Sequence, residues 1–337
     1  MRVLLMTHQE CDPPDSLDRF PDRDRSPVRT EYDVLRALRK LGHETRVLAA
    51  ASEVGAIRAV LGSWKPDIVF NLLEEFGGED THVAWVLGYL ELLRVPFTGA
   101  SPSSLLLADN KPIAKQLLRS QGVPIPDFTI FPKGRPVIRP RGLAFPLIVK
   151  SAAHHGSVGI TQRSVVRNEA ALEERVRHVH EALGTEAIAE EFVDGRELSV
   201  GMLGNRRLEA FPVWETRFEK LAPRAHAIAT ERAKWDRAYQ KRRGIDTGRA
   251  KRLPRTVVAR IHRLSRRVYR ALDLNGYARM DFRLRPDGGL VLLEANPNPD
   301  LAHDEDFAGS ARAAGIPYER LIDRILALGV RYHEARR

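Results

Sequence analysis

The chain has 337 residues, 43% of them hydrophobic and 29% charged, with a formal net charge of +10 at pH 7. That length exceeds one ordinary core and calls for two or three units, and no apolar run is long enough to span a membrane, so no membrane partner is expected. A single cysteine, Cys11, excludes an internal disulfide framework and a cysteine-based zinc site and fits a reducing cytoplasm.

The start, MRVLLMTHQE, reads as a buried strand at residues 3–6 rather than a signal peptide, because its apolar run is short and lacks a small-residue cleavage site. Residues 10–25 are rich in Asp, Pro and Arg without periodicity and read as a loop. A helix is expected over 30–41, opened by TEYD and closed by Gly42. A strand at 44–49, a helix at 54–61, a strand in 66–72, a helix over 81–93 and a short strand at 95–98 follow. This alternation argues an open parallel sheet covered by helices.

A second unit begins near Leu105. Residues 111–121 read as a helix ended by Gly122, with Pro124 and Pro126 beyond. Residues 146–151 form an apolar strand with Lys150 near its end, followed by the loop HHGSVGI. An amphipathic helix over 168–183 and a strand over 187–193 complete the unit. From Trp214 to Pro254 the chain is basic and irregular, a mixture of loop and helix suited to a lid. The arginine excess lies mainly between Arg217 and Arg270. No nucleic-acid motif accompanies it, so it reads as a solvated basic helix near a polyphosphate site, with no nucleic-acid partner expected.

The most informative stretch is YARMDFRLRPDGGLVLLEANPNPD, residues 277–300. It reads as two strands joined by a four-residue loop, 286–289. Pairing outward from that loop sets Arg285 opposite Leu290, Arg283 opposite Leu292, Asp281 opposite Glu294 and Arg279 opposite Asn296. Facing carboxylates repel and weaken a sheet. A hard divalent cation between them is the simplest remedy, and Asp, Glu and Asn oxygens suit Mg²⁺ shared with substrate phosphates. The alternative is a solvated acidic pair beside two arginines, and a one-residue bulge would break the register. There is no P-loop motif and no G-x-G-x-x-G after the first strand. Lys150, beside a glycine-containing loop, and Lys111, at a helix start, could each supply a point charge to phosphate. Either alone reads more readily as a surface lysine than as a phosphate ligand.

Taken together, the segments resemble an ATP-grasp carboxylate–amine ligase, and most closely the D-alanine–D-alanine ligase family, from Asp67 to about Leu326. FNLLEEFGGED, VPFTGASPSSLLLADNKPIAK, PLIVKSAAHHGSVGI, EEFVDGREL and ARMDF…LLEANPNPD are similar to five of that family's segments, in order and at compatible spacing. The resemblance implies α/β and α+β architecture, an ATP-grasp fold behind an N-terminal open parallel-sheet domain. Its units would be an N-terminal domain at 1–104, a central ATP-grasp subdomain at 105–189 and a C-terminal subdomain at 190–337. By the same resemblance Lys111 and Lys150 would contact ATP phosphates. Glu190, Glu191, Phe192 and Val193 would line the adenine pocket, and Glu197 would bind ribose. Asp281, Glu294 and Asn296 would hold Mg²⁺, or Mn²⁺ in its place. Arg279 would stabilise the tetrahedral transition state, and Lys234-Trp235 falls where the family carries a Lys-Tyr pair on a lid. The implied chemistry is attack of a carboxylate on the γ-phosphate of ATP, then displacement of phosphate from the acylphosphate by an amine. Substrates would be small amino acids, peptides or amines, the enzyme would be cytoplasmic, and a homodimer follows by analogy only.

The departures from the family pattern gather at the amino-acid pocket. Gly156 stands in place of a serine before Ser157, and Trp235 in place of a tyrosine. Glu31 can still supply the glutamate that these two hydroxyls would join, but that hydrogen-bonded set cannot form. Glu74, Asp300 and, at or near a serine position, Glu305 introduce acids. A carboxylate does not receive another carboxylate without a cation between them. The acceptor would then lack a carboxylate at that point or carry a positive group there. The alternative is a local slip in the correspondence, with the acids on a solvated loop. Phosphotransfer without ligation, or nucleotide binding without turnover, are the competing readings of function.

Overall fold

The computed structural model describes residues 1–17, 28–154, 156–222 and 225–336. The loop expected at 10–25 falls partly outside these residues, from 18 onward. Three sheets organise the chain. The first is parallel, in the order β2-β1-β3, from β1 (Arg2–His8), β2 (Glu44–Ala50) and β3 (Ile68–Asn71). Helices α1 (Arg29–Lys40), α2 (Val54–Trp64) and α3 (His82–Leu92) alternate with these strands. The apolar run Val3–Met6 is fully buried because helices cover both faces, as a parallel sheet requires. The strand expected at 95–98 is reduced to a single bridge, Val69 to Phe97.

Helices α4 (Pro102–Asp109) and α5 (Lys111–Ser120) lead to the second sheet. That sheet is antiparallel, in the order β4-β7-β5-β6, from β4 (Phe128–Phe131), β5 (Leu147–Ser151), β6 (Val165–Val166) and β7 (Ala187–Glu191). Helix α6 (Glu169–Ala182) is capped by the Asn168 side chain and presses Leu172, Val176 and Val179 onto it.

The third sheet runs β11-β10-β8-β12-β13, with β9 (Glu209–Ala210) against β8. Its strands are β8 (Arg196–Leu203), β10 (Trp214–Phe218), β11 (Ile245–Arg249), β12 (Tyr277–Leu284) and β13 (Leu290–Pro297). The stretch from 214 to 254, expected as loop and helix, thus carries a strand at each end. Helices α7 (Glu231–Trp235) and α8 (Arg237–Arg243) lie between them. WETRF and IDTGR show no apolar alternation, and strands towards a sheet edge tolerate such charge. Helix α9 (Arg255–Ala271) buries Ile261, Leu264 and Val268 on this sheet, and α5 adds Ala114 and Leu118 to the same core. That packing holds the start of α5, and so Lys111, over the β12–β13 hairpin.

After the hairpin come α10 (Asp306–Ala313) and α11 (Tyr318–Glu334). Leu321, Ile322 and Ile325 of α11 pack with Val3, Leu5, Val34 and Phe70 of the N-terminal unit. Among the described residues no helix is long and apolar enough to cross a membrane.

A short polar junction fixes the N-terminal unit to the hairpin. Asn298 Oδ1 accepts the Ala100 N–H at 2.8 Å, and Asn275 takes the Ser101 N–H at 2.8 Å while donating to Gly99 O at 2.6 Å. Gly99 has φ +89°, and a Cβ there would stand 2.4 Å from Asn298 Oδ1. The left-handed backbone and the close approach both require glycine. Gly99→Ala is expected to lower stability by about 2 kcal/mol, read from the urea midpoint at unchanged slope.

Candidate active site

The hairpin meets the expected register at its acidic end, where Arg279 faces Asn296 and Asp281 faces Glu294. Near the turn the expectation is off by one: Arg283 faces Val291, and Leu284 faces Leu290. Arg285 closes the turn instead, its N–H donating to Gly289 O at 2.8 Å and its carbonyl accepting from Gly288 N at 3.0 Å. A bulge opposite the Asp281–Phe282 step leaves Leu293 unpaired and restores the register before the acidic pair. The freed Leu293 carbonyl accepts from Lys115 Nζ at 3.2 Å.

Arg279 grips Asp281 with two bonds, of 2.8 and 2.9 Å, and Asn296 Nδ2 donates to the same carboxylate at 2.8 Å. Burial works against the charge on Arg279. Asp281, Asp306 and Glu294 overcome it, so the guanidinium pKa rises. Among the described residues no three His, Cys, Asp or Glu side chains gather as a metal cluster. The hairpin offers two carboxylates and an amide, a hard oxygen set that fits a cation completing its coordination with water and phosphate oxygens. The amide's orientation is an assignment, and turning it presents its oxygen.

Two lysines arrive from the other side. Lys111, 6% exposed, donates to His154 O at 2.7 Å and stands 3.5 Å from Glu294 Oε1. Lys150 Nζ is 3.0 Å from Glu190 Oε1, and Lys115 Nζ is 3.3 Å from Glu190 Oε2. Burial lowers the pKa of Lys111 and of Lys115. It also opposes the charge on Lys150 and Glu190, but there pairing wins: Lys150 is raised and Glu190 lowered. The Glu190 carboxylate is therefore committed to lysines, and a contact of this residue with adenine would fall to its main chain. Lys115 was not foreseen as a site residue. Its signal was its spacing four residues after Lys111, which puts both on one helix face.

The other expected site residues fall around the crossing from β7 to β8. Glu191 pairs with Arg285 at 2.9 Å, and the Phe192 ring packs edge-on against His226 with centroids 4.8 Å apart. Val193 is buried. Glu197 pairs with Arg283 at 2.6 Å, and burial raises its pKa. Lys234, exposed on α7, lies within electrostatic reach of Glu197. Ser157 sits in the glycine loop at φ +65°. That loop is tied to the basic segment: Gly159 N donates to Glu231 Oε2 at 3.0 Å, and Gln162 exchanges bonds of 2.8 and 3.0 Å with the His226 backbone. The Trp235 side chain lies outside the described residues.

Glu31, in the first turn of α1, is only 6% exposed, and its Oε2 accepts no hydrogen bond among the described residues. It is not joined to Ser157. Burial, then Glu74 and Asp300, push its carboxyl up to about 8. Glu74, Asp300 and Glu305 reach solvent, yet each lies within electrostatic reach of others in the group. Thr30 Oγ1 donates to Asp300 Oδ1 at 2.5 Å, holding that loop beside Glu31. Arg29 binds Asp304, and His303 N donates to Asp33 at 2.9 Å.

Two outcomes follow from these charges. Glu190→Gln strands two buried lysines and is expected to cost about 3 kcal/mol in denaturant unfolding. Glu191→Gln, whose ion pair is about a third exposed on both sides, should cost under about 1 kcal/mol. Glu31 binds its proton more tightly folded than unfolded, so its contribution is full below its ordinary pKa of 4.5 and is lost as pH rises towards 8. Glu31→Gln should therefore flatten the fall of thermal stability between pH 5 and pH 8 that the native chain shows.

Residues 117–327 match the family model described as the D-ala D-ala ligase C-terminus. The D-alanine–D-alanine ligase of Desulforudis audaxviator is 31% identical over 268 residues, spanning 78% of this chain and 81% of that one. The corresponding ligase of Aquifex aeolicus is 29% identical over 301 residues, spanning 89% and 94%. The uncharacterized protein y4sG of Sinorhizobium fredii is 33% identical over 306 residues, spanning 87% and 85%. The crystal structure of a Bacillus anthracis D-alanine–D-alanine ligase complexed with ATP superposes over all of both chains with a TM-score of 0.76 at 21% identity. That likeness supports the fold. With the family match over more than half of its length, this chain belongs to the D-alanine–D-alanine ligase family and has its ATP-grasp architecture.

Proposed function

We propose that this protein joins a carboxylate to an amine at the expense of ATP. One observation carries the reading: Lys111 and Lys150 converge, through Glu294 and Glu190, on the hairpin face that bears Arg279, Asp281, Glu294 and Asn296. Cations opposite a hard-oxygen donor set suit a polyphosphate that bridges them. In this reading Lys111 and Lys150 hold phosphate oxygens. The segment Glu190, Glu191, Phe192 and Val193 faces the base, and Glu197 the ribose. Asp281, Glu294 and Asn296 hold Mg²⁺ or Mn²⁺, which when bound neutralises charge on the phosphoryl oxygens. Arg279, fixed by Asp281, is positioned to offset charge on an acyl oxygen as an amine adds to it. Ser157 and Lys234 lie on the loop and helix that would cover the substrates and keep water from an acylphosphate, and Glu31 would face an amino group. The division into three units belongs to the same reading, and the three sheets support that number, but a boundary at 104/105 cuts α4 and one at 189/190 cuts β7.

The relatives are named for ligating D-alanine, and a small amino acid is the natural donor to try first. The reaction consumes a carboxylate, an amine and ATP and yields an amide, ADP and phosphate. Phosphate release from Mg-ATP is therefore expected only when donor and acceptor are both present, with a product lighter than their sum by one water. A phosphorylated product without free phosphate, or no turnover with any pair, would overturn it. Lys150→Met should cut turnover by about a hundredfold or more. Glu294→Gln should raise the Mg²⁺ concentration needed for half-maximal rate by about tenfold or more.

A further inference from the structure

Four carboxylates, those of Glu31, Glu74, Asp300 and Glu305, converge beside the face that carries Arg279. The cations within reach are already engaged. Arg279 is bound by Asp281 through two of its three guanidinium nitrogens, Nε and Nη2, and Arg29 is bound by Asp304, with Asp33 at 4.0 Å. His303 stands 3.0 Å from Asp304. Helix α10 starts at Asp306 and directs its free N–H groups towards this loop, which would favour an anion, but Glu305 and Asp306 already supply one. The second observation is Glu31 itself: buried, within reach of Glu74 and Asp300, with Oε2 taking no hydrogen bond among the described residues. A buried acceptor without a donor is costly unless something fills the place, and a donor with positive charge fits a site walled by acids.

From this convergence we infer that the acceptor is an amine carrying a second positive charge and no carboxylate, a diamine being the simplest case. The inference rests on the ligase reading for the acceptor's role, not for its charge. One ammonium meets Glu31 and Glu74, and the other meets Asp300 and Glu305 at the open side. The attacking nitrogen is the one beside Glu305, nearer Arg279: it gives one proton to the Glu305 carboxylate, bonds to the acyl carbon and displaces phosphate, which takes the second proton. A carboxylate in the second position would meet like charge and be rejected.

The test is calorimetric titration of the full chain, with Mg-ADP present, by three probes of one chain length: putrescine, butylamine and γ-aminobutyrate. Putrescine is expected to bind about tenfold tighter than either other probe, and the more so at low salt. Glu305→Gln and Glu74→Gln should each erase much of that preference. The Glu305 side chain makes no cap bond to α10, so the first variant should fold, and a thermal melt checks both. Putrescine binding no tighter than butylamine, or a preference untouched in both variants, overturns the inference. Putrescine binding without phosphate release in any pair supports the inference and overturns the ligase reading. Phosphate release favouring γ-aminobutyrate does the reverse.

Discussion

Alternating charge across one seam is the constraint on which the rest of this structure depends. Where the four-stranded and six-stranded sheets approach, Lys115, Glu190, Lys150, Glu294, Lys111, Asp281 and Arg279 lie together, and each carboxylate has a cation beside it. Taking such groups from water is expensive, and mutual attraction offsets it only when the geometry is good. The geometry is supplied by ordinary elements: a helix start over the hairpin, a strand end carrying Lys150, and a bulge that frees one carbonyl for Lys115. Apolar residues in the same place would hold the sheets together equally well. They could not exchange partners with a polyphosphate.

Much of this is legible in the sequence. The facing of Asp281 and Glu294 followed from strand pairing alone, and the alternation of the first third gave the parallel sheet. The turn lies one residue from its expected register, and the bulge at Leu293 cancels that offset before the site. Neither the turn offset nor the bulge has a signature in RLRPDGGLVLL, because Gly288 and Gly289 suit several turns and the flanking run is apolar on both faces. WETRF and IDTGR stayed hidden because their pairing is fixed by β8, not by their own pattern. The role of Lys115 was hidden for a related reason. A lysine four residues from another reads as a solvated face until a buried Glu190 appears opposite it.

Family membership and substrate identity separate cleanly in this chain. The groups proposed to face nucleotide are placed by β5, β7, β12 and β13, whose packing admits few alternatives. The acids at Glu74, Asp300 and Glu305 sit on loops after strands, where a side chain can change sign without disturbing a core. Fold likeness therefore says little about the acceptor, and the local charge says more.

The packing of α11 on the first sheet has a consequence for how the chain folds. Val3, Leu5 and Phe70 emerge early in synthesis, while Leu321, Ile322 and Ile325, which complete their core, emerge last. Contacts of such sequence separation close slowly, because the loop entropy must be spent before they form. Until then the part of that sheet face not covered by α1 stays open to water and to other chains, a state prone to aggregation. The N-terminal unit thus completes its core only when the last helix docks.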